Sequence, residues 1–446
     1  MAFLSKIGFH SCKQVSAFLA VVFSGQIVYA AFESLKIPFY EPVRQLLGLS
    51  HEQFGTMFTM LGVALFFYIP GGWVNNVLNV RTVLFWGLAW RAATGLILVI
   101  FLPPYPVLLA LALSWGILDG MFWPAVVKGV ALFAGAGNKA FGFGVLNGFR
   151  AGGEATLNAI LIGIMALVQG SLFVLRVGMG VYACLAVVMM VLVWRFLPSD
   201  SAASDLTGDQ VIAEDGRALN AKESIIGLLA VLRRVDMWLA GLAGMCVYWV
   251  YTTFVYLTPY LTGVHGASQS FASTFSIVAV VVVGLGAGLL GGLLADKVFH
   301  SATRMMIVAM SVDGFLLLGL RFVPVGPENL WLGVAAMGTM AFFTFMAKTI
   351  QQAPVTELGL PANVLGSAMS VNSFFGFASI LWALRVNGSI LDAHASDPKA
   401  AFDQIFLIIA VVAFAAAFFA LMLEFVKGRR GGSQVGHQAR RQEAPQ

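Results

Sequence analysis

At 446 residues, 59% of them hydrophobic and 11% charged, with mean hydropathy +0.87, the chain has too few charges to coat a soluble globule of its size and belongs in a bilayer. The net charge of +5 and pI near 9.1 fit the surplus of basic residues that the positive-inside rule gives a polytopic protein, so no nucleic-acid partner is expected. Cys12, Cys184 and Cys246 lie in or beside apolar runs, which supports neither a disulfide framework nor a metal site.

The first dozen residues, MAFLSKIGFHSC, lack the apolar stretch and small-residue cleavage site of a removable signal, so the first span is expected to stay in the protein. A helix crossing roughly 30 Å of hydrocarbon needs about 20 apolar residues. Twelve runs fit, at 15–37, 52–71, 82–102, 107–129, 141–168, 173–197, 236–262, 270–295, 303–323, 329–356, 362–388 and 403–426. This predicts an all-α membrane protein of two six-helix halves, 1–197 and 236–427, with a polar linker at 198–235 and a short basic tail, expected to be disordered, at 428–446. The linker carries Asp200, Asp205, Asp209, Glu214 and Asp215, and reads as a solvated connection or a docking segment. With both termini cytoplasmic, 17 of the 26 basic residues face inward, six face outward and three fall within spans, which favours that orientation.

Two loops resemble each other. Gly71 to Arg81 reads GGWVNNVLNVR and Gly291 to Arg304 reads GGLLADKVFHSATR; each opens on paired glycines, continues with Asn76 or Asp296 four residues after Gly72 or Gly292, and closes on Arg81 or Arg304. Gly-x-x-x-Asp-Lys between two membrane helices, here completed by Lys297, resembles the cytoplasmic loop signature of the major facilitator superfamily. Phe299 and Asn79 stand where that family prefers glycine, and Asn79 can still take a left-handed turn. The halves echo each other again where Asn147 aligns over Asn372 and Phe149 over Phe374.

The resemblance implies a cavity lined by spans 1, 4, 7 and 10, which gathers Asp119, Trp123, Tyr248, Thr252, Lys348 and Gln352 as candidate substrate-binding residues. Charged groups inside a bilayer are costly and mark functional sites. Arg150 and Glu154, four residues apart on one helix face, are either a structural ion pair or, with Asp119, a proton-coupling site. Lys348 either reaches the cavity or snorkels; Arg91 and Asp313 are read first as structural, Arg91 neutralising an acid on a neighbouring helix; Glu33 and Lys36 are read as a rim pair. Tyr248, Thr252 and Tyr256 recur every four residues as a polar stripe. Glycines crowd spans 5 and 8, either as plain tight packing or, by the resemblance, as surfaces that rock past each other between the halves.

Gly286-x-Gly288-x-x-Gly291 matches a dinucleotide fingerprint but lies inside an apolar span, and no Walker A sequence occurs, so neither a cofactor nor an enzyme is expected. The expected function is alternating-access transport of a small polar organic solute, an organic anion such as a sugar acid, by proton-coupled uptake. Efflux of amphipathic compounds and a transporter-like sensor remain alternatives. The expected partners are the solute, protons and lipid, in a monomer of the plasma membrane, the inner membrane of a bacterium.

Overall fold

The computed structural model describes residues 9, 11–134, 139–167, 171–199, 229, 231–358, 360 and 362–442, and among these the secondary structure is helical, with no strand. Nearly all of the expected linker, 200–228, lies outside the described residues. The helices stack into twelve columns. In the first half these are α1 (Cys12–Ala30), α2 (His51–Gly62 continued by Ala64–Val77), α3 (Val80–Phe101), α4 (Tyr105–Phe133), α5 (Lys139–Leu167) and α6 (Leu172–Phe196). The second half has α7 (Val235–Thr252, resumed at Leu257–His265), α8 (Gln269–Ile277 and Gly284–Leu294), α9 (Ala302–Leu320), α10 (Leu330–Thr349), α11 (Ala362–Phe377 and Ala383–Ala393) and α12 (Pro398–Gln442). Ten columns are long and apolar enough to cross a membrane. The other two are α2, broken at Val63, and α5, whose middle carries Arg150 and Glu154.

Local chemistry sets the ends. Ser50 and Gln53 form a reciprocal capping box at the start of α2, and Ser11 and Ser301 accept from the backbone in the first turns of α1 and α9. At the end of α3 Leu102 takes φ 44°, a turn held by Pro103 and Pro104, which cannot continue the helix. The expected first span to residue 37 stops at Ala30, because Glu33, Ser34, Lys36 and Pro38 break the apolar run. The tail from 428, expected to be irregular, continues as helix to Gln442.

The loop pair differs from expectation in detail. Asn79 is extended (φ −66°, ψ 145°) rather than left-handed, and in the second loop the left-handed residue is His300 (φ 51°), one beyond Phe299. Asn75, beside the expected Asn76, ties α2 to α4 by donating to the carbonyls of Gly71 and Met121 (2.8 Å each), while a Cβ on Gly71 would lie 2.0 Å from the Gly120 carbonyl. Gly72 and Asn76 lie in the helical end of α2, and the Asn76 side chain is outside the described residues. Arg81 stacks on the Trp194 ring at 4.7 Å. Asp296 and Lys297 are exposed, and the charge that fastens this end of the second half is Glu357: it accepts from Ser301 (3.0 Å), Thr303 (2.7 Å) and Lys427 (2.5 Å), while Arg304 pairs with Glu424 at 3.3 Å. Burial opposes the charge on Glu357, but hydrogen bonds from Lys427 and Thr303 outweigh it and hold the carboxyl below its ordinary range.

Of the described glycines of α5 and α8, Gly142, Gly284, Gly288 and Gly291 pack within their own halves, while the two helices also touch each other across the halves. Added Cβ atoms would meet Ala134 and Val130 of α4 at Gly142, and Phe345, Thr349 and Met346 of α10 at Gly284, Gly288 and Gly291. Backbones of the two halves come close where α2 meets α11: a Cβ on Gly55 would lie 2.3 Å from the Leu384 carbonyl, and one on Gly388 2.3 Å from that of His51. Hydrogen bonds between the halves gather at this same end, the one bearing residues 31–50 and 394–397. Asp392 accepts from the backbone of His51 (2.9 Å) and Glu52 (2.7 Å), and Arg385 pairs with Glu52 at 3.1 Å. The largest apolar cluster also runs through it, joining Tyr40 and Phe54 to Tyr256. The molecule is therefore sealed between halves at the end away from the Glu357 fastening.

Candidate functional site

Below that seal lie two adjoining cavities that share part of their wall. One of about 480 Å³ is walled by α1, α2, α4, α5, α7 and α11; the other, of about 420 Å³, by α5, α7, α8 and α10; Arg150, Glu154 and Tyr251 border both. Volumes of this size suit a small solute.

Arg150 and Glu154 face this space without pairing. The guanidinium stacks on the Trp123 ring at 4.5 Å, with Tyr29 at 5.8 Å, and its Nε has no hydrogen-bond partner. Of the two readings of this pair, the structural ion pair on α5 is not formed among the described residues, and a carboxylate and a guanidinium stand separately on the cavity wall. Across the cavity Lys348 of α10 sits among the rings of Tyr248, Tyr251 and Phe377, at 5.4, 5.4 and 5.5 Å, with no carboxylate within 4.0 Å among the described residues. It does not snorkel; the rings hold the ammonium at the cavity.

Asp119 is on the wall but engaged. Arg91, 5% exposed, donates to Glu33 (2.5 Å) and to both carboxylate oxygens of Asp119 (3.0 Å each), and lies 4.9 Å from the Trp115 ring, whose Nε1 donates to Thr94. Arg91 thus neutralises an acid on a neighbouring helix, as its buried position suggests. Glu33 belongs to this cluster rather than to a rim pair, and Lys36 turns instead to the cavity, 5.7 Å from the Phe58 ring, with no carboxylate within 4.0 Å among the described residues.

Of the candidate binding residues, Asp119, Trp123, Tyr248 and Lys348 line the cavities. Thr252 and Gln352 do not. The Thr252 hydroxyl donates to the Trp249 carbonyl on its own helix, and Gln352 accepts from Asn372. The hydroxyl stripe on α7 ends there, because the chain tightens into a 3-10 turn at Thr253–Tyr256, and Tyr256 donates to the Leu384 carbonyl at the sealed end. Asp313 is buried between α9 and α10, where Thr344 donates to it, away from the cavity. Sequence reasoning missed Lys36, Gln26 and Tyr68 as lining residues. The signal for the first two was polar side chains inside an otherwise apolar first span.

A family profile described as the Major Facilitator Superfamily matches residues 22–384. Two inner membrane proteins of Escherichia coli (strain K12) align over most of the chain. YihN is 22% identical, covering 92% of this chain and 95% of its own length, and YqcE is 22% identical, covering 83% and 86%. Among solved structures, a bacterial homolog of the human lysosomal transporter Spinster, in an inward-facing and unoccupied conformation, superimposes with TM-score 0.71 at 13% identity, over 93% of this chain and 97% of that one. The nucleoside transporter NupG gives 0.71 at 13% identity (93% and 99%), and a D-xylose-proton symporter 0.66 at 15% (91% and 96%).

Proposed function

The chain belongs to the Major Facilitator Superfamily and is a multi-pass membrane transporter, and from that premise we propose that it takes up a small organic anion such as a sugar acid, in exchange for the energy of a proton gradient. The observation that carries this reading is the pair Arg150 and Lys348, one from each half, facing adjoining cavities with aromatic rings as neighbours and no carboxylate within 4.0 Å among the described residues. Two cations left so placed are prepared for an anion that bridges the halves, and bridging is what alternating access requires of its cargo. Glu154, free of Arg150, is the group that would take and release the coupling proton, with Asp119 held in reserve by Arg91. The D-xylose-proton symporter among the similar folds supports the proton. We place both termini in the cytoplasm of a bacterial inner membrane and the protein as a monomer, so that the sealed end faces outward. Efflux of amphipaths draws support from the aromatic wall, but the unpaired cations disfavour the cationic compounds among them.

The test is counterflow in proteoliposomes with D-glucuronate and D-gluconate against glucose. A charge-assisted hydrogen bond contributes about 1.5–3 kcal/mol, so Lys348→Gln should weaken binding of the transported acid by about 10-fold to 150-fold. Transport of glucose in preference to both acids would overturn the anionic reading.

A further inference from the structure

Lys36 stands between two anchors. Residues 31–39 leave α1 as a strap of turns with a 3-10 turn at Glu33–Leu35, and Pro38, which lacks a backbone N–H, disfavours α-helix at the residue before it. The strap is fastened to the first half at Glu33, through Arg91, and at Ser34, whose carbonyl accepts from Asn158 of α5 at 3.0 Å. Immediately beyond Lys36 it is fastened to the second half. The Ile37 carbonyl accepts from Thr258 of α7 (3.0 Å), and the Pro38 carbonyl accepts from Gln269 (3.2 Å) and Ser273 of α8. Between the anchors the Lys36 side chain borders the same cavity as Arg150, and has no carboxylate within 4.0 Å among the described residues.

We propose that Lys36 is an anion-binding residue of the transport site and that, by holding the strap while Ile37 and Pro38 present their carbonyls to α7 and α8, it ties occupancy of the cavity to closure of the outer seal. The inference rests on the anionic substrate proposed above and adds to it a second cationic contact, from a segment outside the helices. A ligand shifts a conformational balance only by its differential affinity for the two states. An anion shared between Arg150 on α5 and Lys36 on the strap has such a difference, because its contact with Lys36 is made in full only where the strap is docked. By reciprocity, docking of the strap tightens the grip on the anion. The bonds that dock it are few, neutral and made by side chains, so they open without unravelling a helix.

The experiment uses the full-length protein in nanodiscs, with spin labels on Gln45→Cys and Ser396→Cys, exposed positions at the outer end of each half, and D-glucuronate and D-gluconate as probes with glucose as the neutral match. The acids should narrow the distance distribution in the parent. Lys36→Gln should weaken acid binding by about 10-fold or more and lose the narrowing even at saturation, Lys36→Arg should restore both, and Ser273→Ala should reduce the narrowing with Lys36 intact. Lys36→Gln that binds and narrows like the parent overturns this inference and leaves the anionic transporter standing. A parent indifferent to both acids removes the anionic reading itself, and this inference with it.

Discussion

Arg150 and Glu154 share a helix face, yet the guanidinium is drawn sideways onto Trp123 and the carboxylate is left to the cavity. Helical spacing makes the pair legible in the sequence; the competing attraction of a ring 27 positions earlier is not, because it depends on how α4 and α5 pack. Asp119 shows the same limit. Judged by its own helix it has no basic neighbour, and its partner Arg91 is 28 positions away on α3. The free state of Glu154 motivates a prediction at this scale. Glu154→Gln should stop accumulation driven by a pH gradient while leaving solute exchange largely intact, since exchange needs the substrate contacts but no net proton release. Uptake and exchange assays on the same vesicles check it; equal loss of both, with a lower Tm, would make Glu154 structural.

The seam between α2 and α11 is built from glycine and a helix start. Gly55 and Gly388 let backbones approach where any Cβ would strike a carbonyl at 2.3 Å, and the Asp392 carboxylate accepts from the first N–H groups of α2, where the helix dipole favours a negative charge. Glycine in the sequence does not announce its partner backbone, which is why the crowded glycines of α5 and α8 drew attention and the lone Gly55 and Gly388 did not. Gly388→Val should prop the seam open, the backbone carbonyl of His51 having no rotamer to retreat into. An impermeant thiol reagent added outside intact cells should then label Tyr68→Cys on the cavity wall, after removal of the native cysteines, and should not label it in the parent seam. His300→Cys at the opposite end should react only once cells are permeabilised. Labelling of His300→Cys in intact cells would reverse the orientation, and labelling of Tyr68→Cys without the valine would deny the seal.

At the scale of the molecule, hydropathy made the twelve columns legible because a bilayer demands a long apolar run from every crossing, and ten of the columns satisfy that demand outright. What averaging hid are the interruptions: the strap at 31–39, the 3-10 turns Thr253–Tyr256 and Ala378–Leu381, and the π turns Val278–Val283 and Ala295–Phe299, each a local departure inside or beside an apolar segment. The rings around Lys348 and beneath Arg150 bear on a different question, the journey of the carrier back across its cycle without cargo. An unescorted charge in a narrowing cavity would stall that return and leave the protein able only to swap one solute for another. For the anion proposed above as cargo, ring faces at 4.5 to 5.5 Å would act as a built-in, uncharged substitute once it has left. Net filling of solute-free vesicles should therefore run within about tenfold of exchange, a barrier difference of no more than about 1.4 kcal/mol, measured by tracer flux with and without solute inside; exchange faster by several orders of magnitude would mean the rings do not suffice. In kinetic terms such a wall would make an anion carrier a pump that can start from an empty cell rather than a turnstile that needs something leaving for each thing that enters.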